Sequence, residues 1–171
     1  MPSLIGKQEG KKAHILTAVL TMVGVVFLDQ ASKWWICQSF GPFEQYIVIP
    51  GFFNLVRVNN TGVAFGLGAG QISLLRQVFF TTFSILVLVI LCYYFWQRHK
   101  DAMFSLAVAG IFGGAVGNLI DRLRWGSVVD FLDFYLGNYH WPAFNVADTA
   151  ICVGAGLLVW GNMRSAKGSK G

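Results

Sequence analysis

The sequence predicts a membrane all-α bundle of four transmembrane helices, with a small extracytoplasmic β-sheet cradle and a short interfacial helix. Composition is the first indication, because 55% of the 171 residues are apolar and only 12% are charged, whereas soluble domains carry about 25% charged residues. A mean hydropathy of +0.57 excludes a disordered chain. The second indication is four apolar runs close to the about 20 residues that span a bilayer. The length fits a single integral membrane domain, 1–171.

The four apolar runs contain few charges and predict transmembrane helices at 13–37, 72–96, 103–122 and 142–163. Pro142 is expected in the first turn of the fourth helix, where the missing N–H of proline costs nothing. The net charge of +5 comes from dispersed bases beside these runs. Nucleic-acid binding requires a continuous basic face, so these bases are expected to flank a membrane, and no nucleic-acid partner is expected.

The basic residues also predict the orientation of the helices. Eight of the thirteen lysines and arginines fall on one side of the predicted bundle. The positive-inside rule makes that side cytoplasmic, so both termini are expected in the cytoplasm. These bases are Lys7, Lys11, Lys12, Arg98, Lys100, Arg164, Lys167 and Lys170.

Two segments then lie on the outer side. The first is rich in β-branched and aromatic residues at 46–49 and 52–58, and it predicts a strand-built cradle over about 41–67. The second, at about 131–140, is too short to span the bilayer. Its aromatic residues predict a helix that lies in the membrane interface.

Acidic residues gather on the outer side of this topology. Six of the eight acids are predicted towards one face of the bundle, and ionisable groups in membrane segments by default mark function. Spacings of three and four residues place polar side chains on one face of each helix. The six acids are Asp29, Glu44, Asp121, Asp130, Asp133 and Asp148, and the spaced sets are Asp29 with Lys33, Asn118 with Asp121 and Arg122, and Asn145 with Asp148.

The acids favour carboxylate chemistry. The histidines and cysteines are poorly placed for a nucleophilic site or for zinc, which leaves a pair of carboxylates that share one proton. Such a pair hydrolyses amides by general acid and base catalysis. Asp130, on an extended strand, and Asp148, about two turns into the fourth helix, suit this role. From the residue pattern alone, an ordinary ion pair with Arg122, Arg124 or Lys33 remains an equal alternative for each of them.

Five motifs in order make the sequence recognisable. They are DQASK at 29–33, NTGVAF at 60–65, GGAVGNLIDR at 113–122, VVDF at 128–131 and FNVAD at 144–148. On this four-helix topology the sequence resembles the lipoprotein signal peptidase family, also called signal peptidase II, the membrane aspartyl proteases of bacteria.

The resemblance implies that Asp130 and Asp148 are the catalytic pair. It implies that Asp29 and Lys33 support the site, and that the substrate is a diacylglyceryl-modified prolipoprotein, cut before its lipidated cysteine. It also implies a bacterial inner-membrane enzyme with no metal or other cofactor. A monomer in contact with membrane lipid is expected, and the topology predicts an active site on the outer face. The implied substrate-binding residues are Asn60, Gly62, Asn118, Arg122 and Asn145.

Two other functions use membrane-embedded acids. A small proton- or cation-coupled transporter places them near the bilayer midplane, whereas five of the six acids here are predicted at or beyond the helix ends. A metal-dependent enzyme that transfers lipid headgroups also uses clustered aspartates, and its activity would be sensitive to chelators. The predicted depth of the acids in the membrane therefore favours the peptidase over the transporter.

Overall fold

The computed structural model describes residues 4–62, 74–98 and 101–168, and side chains within 13–164 of these ranges. Each of the four helices contains a stretch long and apolar enough to cross a membrane, which confirms the predicted membrane bundle of four helices. The elements are α1 (Leu4–Ser39), β1 (Gln45–Ile49), β2 (Phe53–Asn60), α2 (Leu74–Arg98), α3 (Ala102–Trp125), β3 (Val128–Leu136), β4 (Tyr139–His140) and α4 (Val146–Gly168).

Helix α3 is the centre of the bundle and packs against α1, α2 and α4. Its glycines allow this, because small residues let helix backbones approach closely in lipid. A Cβ on Gly114 would collide with the carbonyl oxygen of Ala147 in α4, and a Cβ on Gly117 would collide with the carboxylate of Asp29 in α1. Two helices that carry acids are thereby brought against the same end of α3.

The four strands form one antiparallel sheet in the order β1-β2-β3-β4. Gly126 ends α3 in the left-handed conformation, with φ of 69°, and the chain turns directly into β3. In the pairing of β2 with β3, Val58 lies opposite Asp130 and Asn60 opposite Val128. The sheet therefore holds Asn60 and Asp130 close to the end of α3.

The predicted interfacial helix at about 131–140 is wrong, because this segment forms most of β3 and the short β4. Its aromatic residues pack across the sheet instead of into the interface, as shown by the rings of Phe53 and Phe134, whose centroids are 4.7 Å apart. Strand β2 supplies the backbone partners for this segment. The predicted cradle is confirmed for β1 and β2, and residues 63–67 of it lie outside the described residues.

The predicted start of the fourth helix at Pro142 is also wrong. Helix α4 begins at Val146, and the residue pair Phe144 and Leu132 forms an isolated β-bridge before it. Asp148 consequently lies in the first turn of α4, not two turns into it. The other helices are longer than predicted at one or both ends, and residues 72 and 73, where α2 was predicted to begin, lie outside the described residues.

Candidate active site

The side chain of Asn145 joins Asp130 to Asp148. Asn145 is completely buried, and its Nδ2 donates to Oδ1 of Asp130 at 2.7 Å. Its Oδ1 accepts the backbone N–H of Asp148 at 2.9 Å, while Oδ2 of Asp148 accepts the backbone N–H of Asn145 at 3.3 Å. This reciprocal pair is a capping box at the start of α4. The local signal that begins the helix thus also positions both carboxyl groups.

Asp148 lies where a helix favours negative charge. The first turn of α4 carries the positive end of the helix dipole, and the second carboxylate oxygen of Asp148, Oδ1, accepts Nδ2 of Asn118 at 2.8 Å. Both oxygens of Asp148 therefore have donors that fix the carboxylate plane.

Asp130 lies on β3 and is only 2% exposed. Burial raises the pKa of Asp130 to about 7, and the nearby charge of Asp148 also raises the pKa, against the hydrogen bonds from Asn60 and Asn145. Nδ2 of Asn60 donates to Oδ2 of Asp130 at 2.9 Å. At neutral pH Asp130 is therefore divided between its protonated and its charged form.

A buried ion cluster lies behind the two carboxyl groups. Nζ of Lys33 is 2.8 Å from Oδ2 of Asp29 and 2.9 Å from Oδ2 of Asp121, and it donates to Oδ1 of Asn118 at 3.0 Å. Oδ1 of Asp29 accepts the backbone N–H of Ala147 at 2.9 Å, in the first turn of α4. The predicted pair of Asp29 and Lys33 thus connects α1 to α3 and α4.

Gln30, for which the sequence predicted no role, also belongs to this cluster. Its Nε2 donates to Oδ1 of Asp121 at 2.9 Å and to the carbonyl of Gly117 at 3.1 Å. Oδ2 of Asp121 in turn accepts the backbone N–H of Val129, next to Asp130, at 3.1 Å. The only sequence signal for Gln30 was its place in the motif beside Asp29.

Arg122 lies at the edge of the site towards α2. Its Nη1 makes long contacts, at 3.5 Å to Oγ of Ser84 and 3.4 Å to the carbonyl of Asn118, and its guanidinium lies 5.7 Å from the ring centroid of Phe80. Within the described residues, no salt bridge links Asp130 or Asp148 to an arginine or lysine. The ordinary ion pairs that the sequence left open are not formed there.

Gly62 holds the side chain of Asn60 in place. The backbone N–H of Gly62 donates to Oδ1 of Asn60 at 2.8 Å, which orients the Nδ2 of Asn60 towards Asp130. Gly62 has a φ of 89°, a conformation that disfavours side chains, and a Cβ there would collide with the ring of Phe80.

Four of the six acids predicted on one face converge at the site, namely Asp29, Asp121, Asp130 and Asp148. Asp133 is instead bonded to Asn54 and His140 in the sheet, at 2.9 Å each, and Glu44 accepts the backbone N–H of Gly41. In the part of the chain that is described, no group of three or more histidine, cysteine or acidic side chains is placed to hold a metal ion.

Comparisons with known proteins fit this geometry. Residues 21–164 match the family model described as signal peptidase (SPase) II. The chain belongs to the signal peptidase II family. A lipoprotein signal peptidase of Desulforapulum autotrophicum is 51% identical over 137 residues, 80% of this chain and 85% of the relative. A lipoprotein signal peptidase of Syntrophus aciditrophicus is 44% identical over 149 residues, which cover 86% of this chain and 92% of the relative.

Solved structures agree with the family assignment. A bacterial membrane enzyme structure superposes with a TM-score of 0.77 at 33% identity, covering 89% of this chain and 90% of that one. A second has a TM-score of 0.76 at 34% identity, covering 86% and 92%. The protein is therefore a multi-pass membrane aspartic peptidase of the signal peptidase II family, and the transporter alternative has no support.

Proposed function

We propose that this signal peptidase II family member cuts diacylglyceryl-modified prolipoproteins immediately before the lipidated cysteine, with Asp130 and Asp148 as its catalytic residues. The observation that carries the proposal is the position of Asn145, whose side chain donates to the carboxyl group of Asp130 and whose backbone N–H donates to the carboxylate of Asp148. The relatives' name, lipoprotein signal peptidase, supports the substrate class.

In the proposed hydrolysis, one carboxyl group acts as general base and the other as general acid. The charged carboxylate takes a proton from water as its oxygen attacks the scissile carbonyl carbon, and the protonated partner donates its proton to the carbonyl oxygen. The resulting diol collapses when the acid formed in the first step protonates the leaving amine of the cysteine, the C–N bond breaks, and the partner carboxylate takes the proton of one diol hydroxyl. A pKa of about 7 for Asp130 suits this exchange, because the group gives up and regains a proton easily at neutral pH.

Four of the five proposed substrate-binding residues divide into two groups, and the fifth, Gly62, holds the side chain of Asn60 through its backbone N–H. Asn60, Asn118 and Asn145 each donate to Asp130 or Asp148, so we assign them the task of orienting the catalytic pair. Arg122 has only long contacts, so its guanidinium is available for a backbone carbonyl of the substrate. A signal peptide helix must unwind to be cut, and its freed carbonyl groups need such donors in lipid.

The proposed location is the bacterial inner membrane, with both termini in the cytoplasm and the active site on the outer face. The charge distribution supports this orientation, because Arg98 at the end of α2 and Arg164 near the end of α4 lie at the helix ends away from the sheet. We also propose that the enzyme acts as a monomer. Lipid contact is supported by α2, in which no residue is buried.

The test is cleavage of a purified diacylglyceryl precursor by the enzyme in detergent. Asp130→Asn and Asp148→Asn are each expected to lower kcat by at least about a thousandfold, as loss of a paired catalytic group does. Asp101→Asn is the matched control, because it removes one carboxylate at the start of α3 while asparagine remains a good helix cap. Turnover by the Asp130 or the Asp148 variant at the level of this control would contradict the proposal. Cleavage of an unlipidated precursor at the same rate as the lipidated precursor would contradict the substrate assignment.

A further inference from the structure

A cavity of about 550 Å³ lies beside the catalytic pair but on the other side of the sheet. Asn59 and Val129 line it, and these two residues are paired across β2 and β3. Successive residues in a strand point to opposite faces, so the carboxyl group of Asp130 and the amide of Asn60 lie on the face away from the cavity. The cavity is therefore separate from the reacting groups.

Its wall carries an excess of positive charge. Arg57, Arg124, Lys33 and Asp121 all line the cavity. Lys33 and Asp121 are paired with each other, whereas neither arginine forms a salt bridge within the described residues. Two positive charges are therefore left without an acidic partner, on the side of the bundle where the positive-inside rule disfavours them.

Arg57 has a donor that is left without an acceptor. One terminal nitrogen, Nη1, donates to the carbonyls of Cys37 and Phe40 at 3.1 and 2.7 Å, which holds the guanidinium against the end of α1. Its Nε is buried and has no hydrogen-bond partner. An unsatisfied buried donor is costly. Arg57 also lines the cavity, and a guanidinium is well suited to bind phosphate oxygens.

The aromatic residues of the cavity place it at the headgroup layer of a membrane. Trp34 and Trp125 line it and are 67% and 65% exposed. Tryptophan prefers the membrane–water interface, and both residues lie close to helix ends, α1 ending at Ser39 and α3 at Trp125. A phosphate-bearing molecule at this depth is a membrane phospholipid.

We propose that this cavity binds the phosphate of an anionic phospholipid, held by Arg57 and Arg124, with its acyl chains beside Trp34 and Trp125. The two uncompensated arginines make an anionic lipid the expected occupant over a zwitterionic one, whose own cation they would repel. Because Lys33 lines the cavity and also holds Asp29 and Asp121, the bound lipid stabilises the support behind the catalytic pair. This inference does not depend on the proposed substrate.

The test measures lipid binding and thermal stability of the full-length enzyme in detergent. Phosphatidylglycerol is expected to bind and to raise Tm, because a ligand that binds only the folded state stabilises it. Phosphatidylcholine at the same mole fraction and millimolar inorganic phosphate are expected to raise Tm much less. Arg124→Gln is expected to weaken phosphatidylglycerol binding about fivefold. Its exposed side chain has no bonded partner in the described residues, so the variant should fold.

Two further variants test whether the effect is specific to this cavity and to the guanidinium group. Arg164→Gln removes the same charge from an exposed position at the other end of the bundle, and it is expected to leave the affinity for phosphatidylglycerol within twofold. Arg57→Lys keeps the charge but loses the guanidinium edge, and it is expected to weaken binding. Equal stabilisation by phosphatidylcholine, equal stabilisation by inorganic phosphate, or an equal loss in Arg124→Gln and Arg164→Gln would each overturn the proposal.

Discussion

Asp130 is buried and is also the residue that we propose as a proton donor, and its titration links these two properties. A carboxyl group normally loses its proton near pH 4, whereas the pKa of Asp130 is raised to about 7 by burial. The folded chain therefore binds this proton more tightly than the unfolded chain. The tighter binding of this proton adds to the free energy of unfolding. This contribution is fully present below about pH 4 and is lost as pH rises towards about 7.

The same titration predicts the alkaline limb of the reaction. As pH rises through about 7, Asp130 loses its proton, which in the proposed mechanism is the proton donated to the scissile carbonyl. We expect kcat/KM for the lipidated precursor to fall about tenfold for each pH unit well above that value. The measurement is initial rates from pH 5.5 to 9, with Tm recorded at each pH to show that the enzyme stays folded at the assay temperature. A constant kcat/KM from pH 6 to pH 9 would show that this proton is not used.

Among the helices and strands, the beginning of α4 has two tasks, since Asn145 caps the helix and also donates to Asp130. Replacements can separate these tasks. Asn145→Ser keeps an oxygen that can cap α4 but loses the amide donor, whereas Asn145→Ala loses both. We expect both variants to lose at least about tenfold in kcat, and the alanine variant to be about 1 kcal/mol less stable than the serine variant.

The measurement combines cleavage assays with thermal unfolding of the three proteins in one detergent. If Asn145 were only a helix cap, the serine variant would retain nearly the activity of the parent enzyme. Activity that follows stability across the variants would therefore reject the positioning role that we assign to Asn145.

The errors in predicting these elements have specific physical causes. The start of α4 was placed at Pro142 because proline suits a first helical turn, but the capping box of Asn145 and Asp148 determines the boundary. That pair was visible in the sequence, where its spacing was interpreted only as a shared polar face. Only the beginning of the strand at 128–136 was predicted, around Asp130. Its aromatic part from 131 onwards was not visible in the same way, because aromatic segments suit an interface as well as a sheet. Its partner β2 lies about 70 residues earlier in the chain.

For the whole molecule, the sequence alone was sufficient for the number of crossings and for the convergence of four acids. Successive spans cross in opposite directions, so the ends of α1 and α3 and the beginning of α4 lie on one side whichever way the bundle faces the bilayer. The convergence therefore does not depend on the orientation. The contacts among these residues could not be predicted from the sequence, because they depend on how closely α3 approaches its neighbouring helices. Gly117 against Asp29 is such a contact.

Orientation itself is a separate prediction, since it depends on the bases and not on the site. Tyr139 in β4 is 87% exposed at the sheet end of the molecule, and Asn162 is exposed near the opposite end of α4. With Cys37, Cys92 and Cys152 replaced by serine or alanine, a membrane-impermeant maleimide should label Tyr139→Cys in cells whose inner membrane is intact. It should label Asn162→Cys only after that membrane is permeabilised. The reverse pattern would place the catalytic pair on the cytoplasmic face, where the positive-inside rule would have failed for this chain.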